Sequence, residues 1–151
     1  MALLIVDDDS NIRDTLNELL SNAYECHTAD RAEQALAYLE VEDYDVVLTD
    51  ISMPGLSGRE IIKRVQKNHP ATPVIVISGD SNAEAAAELI AMGAFAYLTK
   101  PFQLETVEET VVRAIARGQE RRTTLQQNND GETTGENTAP AADASVREQS
   151  P

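Results

Sequence analysis

The sequence predicts an α/β protein in which helices cover both faces of a five-stranded parallel sheet. Short, uninterrupted apolar runs alternate along the chain with longer segments whose apolar residues follow a helical period. Short continuous runs are typical of strands buried on both faces of a parallel sheet, and the longer period is typical of amphipathic helices. Five such pairs predict a doubly wound (βα)5 fold.

Four strands are predicted from apolar runs and one from a weaker pattern. The four runs are Leu3–Val6, Val46–Leu48, Val74–Ile77 and Phe95–Leu98. The fifth segment, Tyr24–Ala29, alternates polar with apolar residues, which is typical of a strand at the edge of a sheet.

Five helices are predicted from apolar stripes that follow the strands. The stripes are Ile12, Leu16, Leu19 and Leu20; Ala32, Leu36 and Leu39; Ile61, Ile62 and Val65; Ala86, Leu89 and Ile90; and Leu104, Val107, Val111 and Ile115. Three helix starts have the spacing of a capping box, namely Asp30 to Glu33, Ser57 to Glu60 and Ser81 to Glu84. Gly93 and Gly118 are predicted to end helices.

Composition predicts one domain followed by a tail. Residues 1–120 contain all the apolar runs of the 151-residue chain, and residues 121–151 are predicted to form a disordered polar tail or linker. The formal net charge of −14 argues against direct binding of nucleic acid, whose phosphates are also negative. A single cysteine and the lack of a long apolar stretch or a basic leader predict a cytoplasmic protein that does not bind a membrane.

Polar side chains follow four of the predicted strands, at the sheet edge where ligands collect in such folds. They are Asp7 and Asp8, Asp50, Ser78 and Lys100. Three carboxylates repel one another without a cation, and oxygen ligands with no His or Cys nearby favour Mg²⁺. A carboxylate can also accept a phosphoryl group, which Mg²⁺ and the Lys100 ammonium would stabilise, with a further hydrogen bond from Ser78.

Each of these segments has a simpler explanation when it is taken alone. The run Asp7–Ser10 can cap a helix, with Asp9 or Ser10 as the capping residue, and Met53–Gly55 can be a plain turn. The first acidic run, Asp50 and Lys100 all follow the ends of predicted strands. This shared position favours a functional site over the simpler explanations. His27, His69 and Cys26 lack partners at ligand or catalytic spacing, so structural roles are predicted for them.

Four segments occur in the order and spacing of one known family. They are Ile5–Asp9, Leu48–Gly58, Val76–Gly79 and Thr99–Phe102. Over residues 1–120 the chain resembles the chemotaxis-regulator-like receiver domains of two-component signalling. This resemblance implies a flavodoxin-like fold with strand order 2-1-3-4-5 and a cis peptide bond between Lys100 and Pro101.

The resemblance also implies roles for the residues at the strand ends. Asp50 is expected to accept a phosphoryl group from a histidine kinase or a phosphotransfer protein. Mg²⁺ is expected to be held by Asp7, Asp8, Asp50 and the main-chain carbonyl of Ser52.

Further roles concern the response to phosphorylation. Lys100 and Ser78 are expected to contact the phosphoryl group, and Tyr97 to reorient together with Ser78. Ser52 and Asp80 lie where the family tunes the lifetime of the phosphoryl group. Such a protein catalyses only its own phosphorylation and dephosphorylation, and it acts by switching a surface that binds a downstream protein.

Three other functions fit the sequence less well. An FMN-binding protein of this fold would repel its own phosphate with Asp7–Asp9, and a phosphatase with an aspartate nucleophile would carry a second aspartate where Ser52 stands. A receiver-like protein that only binds partners would lack part of the acidic set. Two alternatives stay open, namely a phosphorelay intermediate and the N-terminal receiver of a larger regulator.

Overall fold

The computed structural model describes residues 1–135, with side chains described through residue 127. Within these residues five strands alternate with five helices. The strands are β1 (Ala2–Val6), β2 (Glu25–Ala29), β3 (Val46–Asp50), β4 (Val74–Ser78) and β5 (Ala96–Thr99). The helices are α1 (Ser10–Leu20), α2 (Ala32–Val41), α3 (Gly58–Asn68), α4 (Ala83–Ala91) and α5 (Leu104–Gly135).

The sheet has the predicted topology. Its strand order is β2-β1-β3-β4-β5 and every neighbouring pair is parallel. Asp50 lies opposite Ile77, and Ser78 lies opposite Thr99, so β3, β4 and β5 end close together. The fold class and strand order expected from the sequence are confirmed.

Alternate residues of the central strands face two separate apolar clusters. Leu4 and Val6 of β1 pack in one cluster with buried residues of α2, α3 and α4. Leu3 and Ile5 pack in the other, with buried residues of α1 and α5. Burial on both faces explains why the sequence of this strand is continuously apolar.

Helix starts were only partly predictable. Ser57 caps α3, and its side chain accepts a hydrogen bond from the Arg59 amide at 3.1 Å. The predicted caps Asp30 and Ser81 are wrong, because α2 and α4 each begin one residue later. Arg31 takes the α2 cap position without a side-chain hydrogen bond, and the Asn82 side chain caps α4.

Gly93 lies just after a helix, whereas Gly118 lies inside one. Gly93 follows α4 with φ of +118°, a conformation that favours glycine, so the predicted end is confirmed. Gly118 lies inside α5, and the prediction that it ends a helix is wrong. A Cβ there would lie 3.1 Å from the Ala71 carbonyl oxygen and 3.2 Å from Pro73 Cδ. Glycine therefore allows the helix to pass close to the loop before β4.

The chain divides into two units, Met1–Gly118 and Gln119–Pro151. Residues 121–135, predicted to be disordered, are helical in the structure. Extending an existing helix costs far less than starting one, so a mostly polar sequence can continue it with few apolar anchors. The remaining part of the predicted tail, 136–151, lies outside the described residues.

One helix has very little buried surface. Of the nine described residues of α4, Leu89 alone is buried, and five are alanines.

A membrane-spanning helix was not predicted, and none of the described helices is long and apolar enough to cross a bilayer.

Candidate functional site

Three carboxylates meet at the carboxyl edge of the sheet. Asp7 and Asp8 follow β1, and Asp50 is the last residue of β3. One oxygen from each lies within 4.8 Å of the others. Asp7 and Asp50 are buried, whereas Asp8 is exposed. The fold thus brings together the acidic residues that the sequence predicted to share a site.

Lys100 extends from the end of β5 into this acidic cluster. Its Nζ atom lies 3.0 Å from Asp7 Oδ2 and 3.4 Å from Asp50 Oδ2. The peptide bond to the following Pro101 is cis, as the resemblance implied. One ammonium therefore faces two buried carboxylates.

The electrostatics of the cluster follow from burial and charge. Burial raises the pKa of Asp50 above its ordinary 3.8, and the neighbouring Asp7 raises it further, while Lys100 and the Ser52 amide act in the opposite direction. Burial alone would lower the pKa of Lys100, but Asp7 and Asp50 together outweigh it and the pKa is raised. Lys100 therefore stays protonated at neutral pH.

The donor set fits a hard divalent cation. Within the part of the chain whose side chains are described, no hydrogen bond reaches the buried Asp7 Oδ2, and its close neighbour is the Lys100 ammonium. A buried anionic oxygen without hydrogen bonds is costly unless positive charge compensates it. With Asp8 and Asp50 it offers the all-oxygen ligands that Mg²⁺ prefers.

Backbone contacts hold the first acidic segment in place. Asp7 Oδ1 accepts a hydrogen bond from the Asp9 amide at 2.9 Å, and Asp9 in turn caps α1 by accepting from the Asn11 amide at 2.9 Å. The main-chain oxygen of Asp7 accepts a hydrogen bond from Arg13 Nη1 at 2.9 Å. Asp9 therefore caps the helix, which was the simpler explanation for this segment, whereas Asp7 and Asp8 belong to the cluster of carboxylates.

The loop after β3 is tightly built around Asp50. The Ser52 amide donates to Asp50 Oδ1 at 3.3 Å, whereas the expected role of the Ser52 carbonyl as a metal ligand stays a prediction. Gly55 has φ of +83°, a conformation that favours glycine, and residues 54–56 form a bend, whereas the turn expected at Met53–Gly55 stays a prediction. Gly58, the first residue of α3, lies so close to the Asp50 carbonyl that a Cβ there would overlap it.

Ser78 and Tyr97, the predicted switch residues, are joined through one intervening residue. Ser78 is buried, and its Oγ accepts a hydrogen bond from the Asp80 amide at 3.1 Å. The Tyr97 hydroxyl donates a short hydrogen bond to the Asp80 carbonyl. Asp80 therefore contacts both residues through its main chain, a link that the sequence did not indicate.

The two histidines lie away from the acidic cluster and make structural contacts. His27 Nδ1 lies 2.7 Å from the hydroxyl of the buried Tyr44, and His27 Nε2 lies 3.0 Å from Glu25 Oε2. His69 Nε2 lies 3.0 Å from the Leu39 carbonyl near the end of α2. Structural roles were expected for both.

Sequence reasoning did not identify Arg13 as part of the site. The available signal was a cation in the first turn of a predicted helix, directly after an acidic run. A cation is unfavourable at that end of a helix, so its presence there calls for a specific partner.

The fold and these residues define a receiver-type signalling domain. Residues 3–112 match the family model described as the response regulator receiver domain. The chain belongs to this family.

Relatives and solved structures agree with that assignment. The DNA-binding transcriptional regulator NtrC of Salmonella typhimurium is 40% identical over 118 residues, which cover 78% of this chain and 25% of that protein. A CheY-like receiver domain from Methanospirillum hungatei superposes with a TM-score of 0.75 at 29% identity, covering 80% of this chain and 97% of that one. The beryllofluoride-activated NtrC4 receiver domain dimer gives a TM-score of 0.73 at 30% identity, covering 78% and 98%. The chain spans about a quarter of the length of the curated relatives it matches.

Proposed function

We propose that Asp50 accepts a phosphoryl group from a histidine kinase or a phosphotransfer protein. In this proposal Asp7, Asp8, Asp50 and the Ser52 carbonyl hold Mg²⁺. The observation that carries the proposal is the position of the Lys100 ammonium, 3.0 Å from Asp7 and 3.4 Å from Asp50, within a cluster of three carboxylates.

The transfer itself needs little beyond a placed nucleophile and positive charge. A carboxylate oxygen of Asp50 forms a bond to phosphorus as the bond from phosphorus to the donor's histidine nitrogen breaks. That nitrogen keeps the electron pair, and the product is an aspartyl phosphate. Bound Mg²⁺ supplies positive charge to the phosphoryl oxygens, and the protonated Lys100 supplies more.

The unmodified carboxylate also has to be ionised to attack. Burial and Asp7 oppose ionisation of Asp50, whereas Lys100 and the Ser52 amide favour it. A cation at Asp7 and Asp8 would favour ionisation of Asp50 as well, because an adjacent positive charge favours the carboxylate form. A cation held there would therefore favour the form of Asp50 that attacks phosphorus.

The response is proposed to begin at Ser78. A phosphoryl group on Asp50 offers new acceptors for the Ser78 hydroxyl, whose present partner is the Asp80 amide. Because Tyr97 donates to the carbonyl of Asp80, movement of Ser78 disturbs the Tyr97 contact as well. Tyr97 then changes the surface formed by α4, β5 and α5, where we place the binding of a downstream protein.

The size of the switch can be bounded. Moving a population from 1:99 to 99:1 requires about 5.5 kcal/mol of differential interaction. One hydroxyl and one ammonium contact to the phosphoryl group, at roughly 1.5–3 kcal/mol each, approach that value without greatly exceeding it. We therefore expect loss of either contact to blunt the response.

The length of the relatives supports a second proposal. Because the chain covers a quarter of NtrC-like proteins, we propose that it serves as the N-terminal receiver of a larger regulator, with a phosphorelay intermediate as the alternative. NtrC is a DNA-binding transcriptional regulator, but the net charge of −14 argues against DNA contacts by this chain. Its expected activity is limited to its own phosphorylation and dephosphorylation, and its cytoplasmic location stays a prediction.

Acetyl phosphate and intact-mass measurement test the phosphoacceptor. Wild-type protein is expected to gain the mass of one phosphoryl group only when MgCl₂ is present, and Asp50→Asn is expected to gain none. Asp43→Asn is the matched control, because its side chain is fully exposed and outside the cluster. Equal phosphorylation of wild type and Asp50→Asn refutes the assignment.

A further inference from the structure

Arg13 makes a contact that its place in the helix does not by itself favour. It lies in the first turn of α1, where the positive end of the helix dipole repels a cation. Its side chain is half-buried, and Nη1 donates to the main-chain oxygen of Asp7 at 2.9 Å. Helical side chains lean toward the helix N-terminus, which explains how Arg13 reaches a residue six positions earlier.

The acceptor of this hydrogen bond has a particular place in the chain. Asp7 follows the end of β1, and its amide still donates to the Ala29 carbonyl at 3.1 Å. Its carbonyl accepts a hydrogen bond from the Arg13 guanidinium. The main chain of Asp7 is thus hydrogen-bonded both to β2 and to a side chain of α1.

The orientation of one peptide plane depends on this bond. The Asp7 carbonyl and the Asp8 amide belong to the same rigid peptide unit, so fixing the carbonyl also fixes the direction in which the chain enters Asp8. The exposed Asp8 has little packing of its own to hold it, whereas Asp7 is buried. Its carboxylate nevertheless has to lie within 4.8 Å of those of Asp7 and Asp50.

We propose that Arg13 is a positioning residue for the cation site, because it holds the peptide between Asp7 and Asp8 in the orientation that brings the Asp8 carboxylate to the ion. This inference rests on the proposed binding of Mg²⁺ at Asp7, Asp8 and Asp50. In this proposal Arg13 is not a ligand of the ion, and it acts through the backbone of Asp7.

Positioning and simple charge have opposite signs here. If Arg13 acted only as a nearby positive charge, its removal would lessen repulsion of Mg²⁺ and tighten binding. If it positions Asp8, its removal loosens a ligand and weakens binding, as loss of groups that orient metal ligands typically does by about 10–100-fold. The direction of the change in Mg²⁺ affinity therefore separates the two roles.

The test is a Mg²⁺ titration followed through the amide NMR signals of Asp8 and Asp9. The chain has no tryptophan, so backbone signals are the direct probe. Arg13→Met, which keeps much of the length but no donor, is expected to weaken Mg²⁺ binding by about tenfold. Arg13→Lys keeps a charged donor and is expected to stay within about threefold of wild type.

A matched arginine elsewhere provides the control. Arg64 of α3 pairs with Glu40 at 3.7 Å, so Arg64→Met removes the same charge away from the acidic cluster, and its Mg²⁺ affinity is expected to match wild type. Far-UV circular dichroism at the titration temperature shows that each variant is folded. Arg13→Gln is the second variant should Arg13→Met fail to fold, with the same weakening expected.

The outcomes separate this inference from the proposed function. If folded Arg13→Met, or Arg13→Gln in its place, binds Mg²⁺ as tightly as wild type or more tightly, the positioning role is overturned. The role is also overturned if Arg13→Lys does not recover the Mg²⁺ affinity. Asp8→Asn is included because it removes a proposed ligand. If wild type and Asp8→Asn bind Mg²⁺ equally, the proposed cation site is wrong, and the inference about Arg13 is overturned with it.

Discussion

Replacing Gly58 by alanine tests how closely α3 must approach the strand that carries Asp50. A Cβ at this position would overlap the Asp50 carbonyl oxygen and would lie 3.1 Å from both Cα and Cδ1 of Ile51. Two of these three atoms belong to the backbone, which cannot rotate away as a flexible side chain does. The Gly58 amide also donates to the Ile51 carbonyl at 3.1 Å, so α3 cannot retreat without straining that bond.

Two opposing effects set the size of the change. Overpacking of a tight contact typically costs about 1–3 kcal/mol. Alanine is preferred over glycine in helices by up to about 1 kcal/mol, which offsets part of this cost. We expect a net loss of about 1–2 kcal/mol in the free energy of unfolding, which lowers the melting temperature by roughly 3–12 °C for a domain of this size.

The assay combines a thermal melt with phosphorylation by acetyl phosphate. Gly58→Ala is expected to lower the melting temperature and to slow phosphorylation, because the shift displaces the main chain of Asp50. Gly79→Ala is the control, since a Cβ at Gly79 has no neighbour within 4 Å among the described residues. Reduced entropy of its unfolded chain is expected to raise stability by about 0.4–1 kcal/mol. Equal melting temperatures for the two variants refute the reasoning.

Four further substitutions probe the acidic cluster, the response to phosphorylation and the buried tyrosine. Asp8→Ala is expected to weaken Mg²⁺ binding in an NMR titration and to leave the metal-free melting temperature level or higher, because it relieves repulsion between carboxylates; a large fall would contradict this. Ser78→Ala and Lys100→Ala are expected to permit some phosphorylation but to reduce the amide shifts around Tyr97 caused by beryllofluoride, and full wild-type shifts in both variants would exclude the coupling. Burial, followed by nearby acidic groups, raises the pKa of Tyr44 from 10.0 to about 12. A pKa that is raised in the folded state stabilises the protein below about pH 10, and at most roughly 2–3 kcal/mol of the free energy of unfolding is lost between about pH 10 and 12. The free energy of urea unfolding of Tyr44→Phe should therefore depend less on pH in this range than that of wild type. Identical pH dependence of the two proteins would disprove the assignment.

The central strands and the acidic cluster were predictable because local sequence decides them. Val74–Ser78 is buried throughout, and the uninterrupted apolar run Val74–Ile77 is typical of a strand enclosed on both faces. Since all strands run in parallel, their carboxyl ends must share an edge. Asp7, Asp50 and Lys100 could therefore be placed together before any contact was known.

Features that depend on distant parts of the chain were not predictable. Glycine commonly follows the end of a helix, which is why Gly118 was predicted to end one. Only the nearness of Ala71 and Pro73 shows why a glycine lies inside α5. Likewise, the bond from Arg13 to the Asp7 carbonyl depends on side-chain direction at the start of α1 and on the way β1 ends. Apolar periodicity carries no information on either contact.

The composition of α4 bears on how such a domain can diverge. With Leu89 as its one buried residue among nine, this helix places little demand on the core, and burial of one leucine contributes only about 1.5–3 kcal/mol. The residues on its outer face can accordingly be exchanged with small effects on folding, whereas the strand ends next to the acidic cluster are fixed by the sheet. A duplicated copy of this gene could acquire a new binding partner through substitutions in α4 alone, and it would keep its acidic cluster unchanged.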